Sequence, residues 1–232
     1  MATLLAVLFA ASAQAAPFEL DWDQLTWLPE GNTNLSETYT IGNQPITVTI
    51  SGNTAELDQD AGSNGNSPIS PSINSQNTGG LIPVQDGLHI ATDYSSQADP
   101  RVTITFDFNQ YPGGVSDIQF TIFDIDASGS FLDRATVTAV NGSGVINPTT
   151  RITSPANQLF GANGIEGTTP AGGGTANGNA TFGFSQSGIT ELRIVYGNEV
   201  NRPNPGFQFI NIHHLGDADV RHRCVEADVV DV

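Results

Sequence analysis

Between Arg101 and Asp124 the chain alternates apolar and polar residues twice in succession, and nothing else in it restricts the fold as tightly. In Arg101-Val-Thr-Ile-Thr-Phe-Asp-Phe108, Val102, Ile104, Phe106 and Phe108 fall on one side, and Thr103, Thr105 and Asp107 on the other. Asp117-Ile-Gln-Phe-Thr-Ile-Phe-Asp124 repeats the pattern through Ile118, Phe120 and Ile122. A period of two belongs to a β-strand with one buried face. Tyr111-Pro112-Gly113-Gly114 supplies turn chemistry between the runs, so the pair is expected to fold back as a β-hairpin.

Other segments follow the same period. Ile46, Val48 and Ile50 share one face of Pro45–Ile50, and further strands are expected at Ala135–Val140, Val145–Ile152, Ala180–Ser185, Ile189–Tyr196 and Phe207–His213. A long loop is expected from about Asp58 to Gly80, and a Gly/Asn-rich connection from Gly161 to Gly178. No segment beyond the N-terminus keeps a helical period, and there is no repeat of fixed length. The expected fold is all-β, an antiparallel two-sheet β-sandwich of jelly-roll-like type, and 232 residues suit one such domain.

The first residues read as an export signal. Leu4 to Ala11 is apolar, and Ala13 and Ala15 match an A-x-A cleavage pattern, although a basic segment before the apolar run is lacking. The expected organisation is a signal peptide over 1–15, one sandwich domain over 16–215 and an acidic tail over 216–232. A buried N-terminal helix is the alternative for the first segment. Cys224 is alone, so no disulfide can form within the chain.

Charge narrows the choice of partners. Asp and Glu number 24 against 7 basic residues, all of them arginine, for a formal net charge of −17. Nucleic acid and anionic membrane surfaces select the opposite balance. Without lysine there is no Schiff base and no phosphate-loop lysine. A cation is the natural small partner, and a glycan or an extracellular protein the natural large one.

The sharpest motif is Asp124-Ile-Asp126-Ala-Ser128-Gly-Ser130, with Asp133 after it. Calcium takes six to eight hard oxygen ligands, which alternate acids and hydroxyls on a turn can supply. Asp124, Asp126, Ser128, Ser130 and Asp133 are therefore candidate ligands for Ca2+, in a setting of strands that is not an EF-hand. The alternative is a solvated turn whose side chains cap their own backbone. Asp58-Gln-Asp60-Ala-Gly-Ser-Asn64 is a second, weaker acidic turn.

Other constellations carry less. His213 and His214 point to opposite faces if they continue a strand, which argues against a shared zinc ion, and His89 and His222 lie far from them in sequence. Trp22 and Trp27, beside Asp21 and Asp23, are candidates for a sugar-stacking platform, with core packing as the alternative. No G-x-S-x-G elbow is present. Acids are so many that a pair of carboxylates placed for glycoside hydrolysis has no diagnostic value.

Phe106-Asp-Phe108, then Phe120-Thr-Ile-Phe-Asp-Ile-Asp126, then Asp133-Arg-Ala-Thr-Val137 resemble a class of exported bacterial surface modules, of the kind found in PEP-CTERM-type sorted extracellular proteins. Ile189–Tyr196 and Pro205–Leu215 are similar to the closing strands of such modules. The resemblance implies a non-catalytic β-sandwich at the cell envelope and assigns no catalytic residue. The Pro-Glu-Pro sorting tail of that class is not found after Leu215. The expectation is an exported, non-enzymatic protein with a surface, matrix or adhesive role, possible calcium stabilisation being part of it. A carbohydrate-binding module is the alternative, and a polysaccharide hydrolase with paired carboxylates stands behind that.

Overall fold

The computed structural model describes residues 18–60, 69–94, 101–198 and 206–217. The expected signal segment, residues 61–64 of the second acidic turn, and the tail with His222 and Cys224 lie outside the described residues. In chain order the strands begin β1 (Glu19–Leu20), β2 (Ser36–Ile41), β3 (Gln44–Gly52), β4 (Ser72–Asn74), β5 (Gly87–Tyr94), β6 (Arg101–Asp107), β7 (Ile118–Phe123) and β8 (Asp133–Asn141). They continue as β9 (Gly144–Ile146), β10 (Thr150–Ile152), β11 (Asn157–Phe160), β12 (Gly164–Gly167), β13 (Ala180–Phe184), β14 (Glu191–Asn198), β15 (Gly206–Ile212) and β16 (Leu215–Asp217).

These strands make two antiparallel sheets packed face to face. Sheet I has the order β11-β12-β8-β14-β6-β3-β2, with β9 beside β8. Sheet II has the order β1-β16-β7-β15-β5-β4, with β13 on the other side of β7 and β10 beyond it. The long strands alternate between layers: β3, β6, β8 and β14 lie in sheet I, and β5, β7, β13 and β15 in sheet II. That crossing is the jelly-roll-like feature, and the expected β-sandwich is the fold observed.

The expected hairpin of 101–108 with 117–124 does not form. β6 pairs with β3 and β14, whereas β7 pairs with β13, β15 and β16 in the opposite sheet. The segment with Tyr111 therefore bridges the layers. Its ring is buried against Phe108 and Phe18, and its hydroxyl donates to the Ile41 carbonyl at 2.9 Å. Two strands with one apolar face each can bury those faces equally well side by side or across a core, and the period of two does not distinguish the cases.

Several other differences have local causes. The expected strand at 145–152 divides into β9 in sheet I and β10 in sheet II, and Pro148, which has no N–H for a ladder, lies at the change. β12 falls inside the expected 161–178 loop. β5 lies between β15 and the edge strand β4 in sheet II, and because it is buried on both faces it shows no alternation. His89 in β5 is fully buried, its Nδ1 lies 2.7 Å from the Asn211 Oδ1, and desolvation lowers the ring pKa to about 4. β16 carries sheet II through Asp217, beyond the expected domain end at 215.

Between the sheets lies one core. Ile46, Val48, Ile50, Val102, Ile104, Phe106, Val137 and Ile194 from sheet I join Leu88, Ile90, Ile118, Phe120, Ile122, Phe182 and Ile210 from sheet II. Phe120 and Phe182 stack at 5.7 Å between centroids. Phe120→Ala is expected to cost about 3–5 kcal/mol, read as a lower urea midpoint at unchanged slope.

Candidate functional site

Three of the five predicted calcium ligands are buried in one neighbourhood between the end of β7 and the start of β8. Asp124 follows the last residue of β7, in a left-handed backbone conformation with φ of 70°. Asp133 opens β8, and its N–H donates to the Asp126 carbonyl at 2.9 Å. The Asp133 Oδ1 accepts the Tyr196 hydroxyl at 2.8 Å, and its Oδ2 accepts the Asp126 N–H at 3.4 Å. The Asp126 Oδ2 accepts the Ala171 N–H at 2.6 Å. All three carboxyls are buried, and the Asp124 Oδ1 has no hydrogen-bond partner.

Close backbone approach explains how this end is held. Ile125 N–H donates to the Gly178 carbonyl at 2.9 Å, and Ala127 N–H to the Thr169 carbonyl at 3.2 Å. A Cβ on Gly167 would sit 1.8 Å from the Asp126 carbonyl oxygen, so only glycine lets β12 pass here.

Ser128 and Ser130 are not brought to the carboxyls. Residues 126–133 fold back on themselves through the Ala127–Leu132 bridge, and the two serine hydroxyls meet each other at 3.2 Å near the exposed tip. The three aspartates share an electrostatic neighbourhood, yet their ligand oxygens do not form a triple within 4.8 Å of one another. Burial and then Asp126 push the Asp124 carboxyl up to about 7. Burial also raises Asp126, and burial followed by Asp126 raises Asp133 well above the ordinary range.

In the second acidic turn, Asp58 and Asp60 line a shallow cleft with Glu56 and Asp93. The Asp58 Oδ1 accepts the Asp60 N–H at 3.1 Å, and desolvation raises the Asp58 pKa.

Trp22 and Trp27 are corrected by the structure. They are 0% and 1% exposed, so neither indole presents a face to a sugar ring. Trp22 packs edge-on against Tyr39 at 6.1 Å, and the Trp27 Nε1 donates to the Asn34 carbonyl at 3.0 Å. Their acidic neighbours Asp21 and Asp23 lie at the surface instead.

The structure also discloses a sheet face that sequence reading did not single out as a site. On the outside of sheet I, Ser36, Thr38, Thr47, Thr49, Thr103, Thr105, Thr136 and Thr138 are exposed or half-exposed, because their strand neighbours fill the core. The Ser36 and Thr49 hydroxyls meet at 3.0 Å, and those of Thr38 and Thr47 at 2.9 Å. Toward one edge a cleft of about 90 Å³ is lined by Arg101, Arg134, Thr136, Phe160, Val195, Gly197 and Asn198. There the Arg134 guanidinium lies 3.8 Å over the Phe160 ring centroid and bonds Glu166 at 2.7 Å. The alternation of threonines was legible, but their assembly into one face depended on strand order.

Known proteins add little to this geometry. No family model matches the chain, and no curated protein matches it. Among solved structures it is similar to TmCBM27, whose structure is titled as a dissection of specific mannan recognition by a carbohydrate-binding module. Identity is 12% over 88% of this chain and 99% of that one, with a TM-score of 0.34.

The buried aspartates set a pH dependence with a definite sign. A carboxyl whose ordinary value is 3.8 and whose folded value is about 7 holds its proton in the folded chain after the unfolded chain has lost it. The contribution of Asp124 to stability in chelator is therefore fully present in acid and is lost as pH rises from about 4 to about 7, against an opposite contribution from His89. Asp124→Asn keeps the shape and tolerates the positive φ. It is expected to be more stable than the parent by ~2 kcal/mol at alkaline pH in chelator, and no more stable in acid, by urea denaturation.

Proposed function

We propose that the chain is an exported, non-enzymatic β-sandwich acting outside the cytoplasm by surface contact, in a cell-surface, extracellular-matrix or adhesive role. The observation that carries this reading is the outer face of sheet I, where rows of threonines on β2, β3, β6 and β8 flank Val195 and the Arg193–Glu191 pair of β14. Each threonine there offers a donor, acceptors and a methyl group without charge. Its β-branched side chain is stiff, so little rotamer entropy is lost when it is covered. The excess of acid elsewhere favours solubility and repels polyanions.

Calcium stabilisation belongs to the same proposal. Asp124, Asp126 and Asp133 would supply hard oxygen ligands, with the unpartnered Asp124 Oδ1 as the first of them. Ser128 and Ser130 would join only if the tip folded inward. An ion would neutralise carboxyls that burial otherwise keeps protonated. Added calcium is then expected to raise Tm by several degrees at about pH 8, an effect absent from Asp124→Asn. Identical melting curves in calcium and in chelator, with no bound metal by mass spectrometry, would sink this part.

Glycan binding is the second reading, and the cleft beside Phe160 is what favours it. A half-exposed ring with arginine and amide groups around it resembles the chemistry that holds the edge of a sugar unit, though 90 Å³ is too little for an enclosed ligand. Adsorption to polysaccharide and mineral surfaces, together with a glycan array, separates the cases. The triple variant Thr49→Val, Thr105→Val, Thr138→Val is expected to lose adsorption roughly tenfold at unchanged Tm, because it removes three hydroxyls on isosteric strand formers. Selective sugar binding lost in Phe160→Ala and kept in the triple variant would favour recognition of a glycan. Turnover of a polysaccharide, abolished by one carboxylate-to-amide change, would overturn both.

A further inference from the structure

The ends of the described chain meet in a second group of titratable side chains, away from the Asp124 cluster. β1 pairs with β16 through Glu19 opposite Gly216 and Leu20 opposite Leu215. This pairing sets Asp21 and Asp23, at the short 3-10 turn Trp22–Gln24, beside the corner between β15 and β16. That corner is His213-His214. The expected strand through His213 ends one residue earlier, at Ile212, so the two rings do not diverge. They stack at 4.2 Å with 12° between planes.

His214 is only 8% exposed, and each edge of its ring faces carboxylates. Its Nε2 lies 3.3 Å from the Asp21 Oδ1 and 3.8 Å from the Asp23 Oδ2, and its Nδ1 lies 4.0 Å from the Glu19 Oε1. The three ligand atoms of Asp21, Asp23 and His214 lie within 4.8 Å of one another. The remaining groups are held from behind. The Asp23 Oδ1 accepts the Asp86 N–H at 2.7 Å, which leaves its Oδ2 toward His214. The His213 Nε2 lies 2.6 Å from the Gln85 Oε1, and its ring packs on Phe123 at 5.0 Å. Asp86 lies within electrostatic reach of both Asp23 and His214.

The separations suit a metal site as well as an ion pair, and the Asp21 Oδ1 also accepts the Asp23 N–H at 3.1 Å. A charge-assisted N–H···O bond closes to about 2.7–2.9 Å, shorter than either Nε2 contact. Zinc bonds of about 2.0–2.1 Å arranged tetrahedrally place their ligand atoms about 3.3–3.4 Å apart. The distance to Asp21 matches that edge, and the distance to Asp23 is a few tenths of an ångström from it. The Glu19 Oε1, 4.0 Å from the far nitrogen, is beyond hydrogen-bond distance and adds negative charge behind the ring. Asp21 and Asp23 have side chains 38% and 35% exposed, so a fourth position opens to water.

We propose that Asp21, Asp23 and His214 form a site for a divalent transition metal of the zinc class, which fastens the N-terminal strand to the β15–β16 corner. One nitrogen and two single carboxylate oxygens within 4.8 Å of one another suit zinc, whereas calcium needs six or more oxygens. Among the described residues β1 contributes two paired residues to sheet II. A metal across the junction would close the sandwich where its ladder is shortest.

The test titrates the full-length chain with Zn2+ by calorimetry and with Co2+ by absorption. One equivalent of tight binding, visible cobalt bands of tetrahedral intensity and a higher Tm reversed by chelator are expected. Asp21→Asn and Asp23→Asn, at exposed positions that spare the fold, should each weaken binding by tenfold or more. Glu19→Gln should weaken it less than either of these, because its carboxylate acts only through its charge. Cys224→Ser and His222→Gln should leave it unchanged. Absence of zinc binding in the parent chain would overturn the proposal. Binding that survives Asp21→Asn and Asp23→Asn, or a cobalt–thiolate band lost in Cys224→Ser, would overturn it equally. Asp124→Asn should leave the zinc response intact, which separates this site from the calcium reading.

Discussion

The burial of two apolar strand faces against one another is the interaction on which the rest of the molecule depends. Val102, Ile104 and Phe106 on β6, and Ile118, Phe120 and Ile122 on β7, belong to one core but to different sheets. The described chain contains no helical layer to cover a sheet, so each sheet is the other's cover. This accounts for the alternation of long strands between layers. It also decides which side chains remain outside, since every residue sent inward sends its two neighbours outward.

That coupling explains what could be read in advance. The faces of β3, β6, β7, β8, β13 and β14 followed from the period of two, and with them the sandwich. The partner of each strand did not follow, which is why β6 and β7 were expected to pair and do not. β5 shows the converse failure. With both faces buried it has no alternation to read, and its His89 is a neutral, hydrogen-bonded core residue. Asp21-Trp22-Asp23 misled for a related reason. Acids around an indole suggest an exposed ring, but the 3-10 turn directs the indole inward and the carboxylates outward.

The two acidic groups differ in how local their origin is. Asp124, Asp126 and Asp133 lie within ten residues, and a strand end followed by a tight reversal is enough to bring them near one another. Their neighbourhood was therefore legible, while the withdrawal of Ser128 and Ser130 to the hairpin tip was not, because it depends on the Ala127–Leu132 bridge. Asp21, Asp23 and His214 come together only after β1 has found β16. No local spacing encodes that meeting, and the assumption that His213 and His214 share a strand argued against it.

The same contrast bears on what each group can hold. In the first, three carboxyls are buried and two already accept protein donors, so hydrogen bonds and protons compete with any ion for the same oxygens. A cation there must displace protons that burial has made hard to remove, and its hold would weaken in acid for that reason. In the second, Asp21 and Asp23 are 38% and 35% exposed and each accepts one backbone N–H, while the single buried member is an imidazole with a carboxylate on each side. The excess of acid in the chain is thus two different chemical resources, one kept dry between the sheets and one held at the seam where the ends of the fold meet.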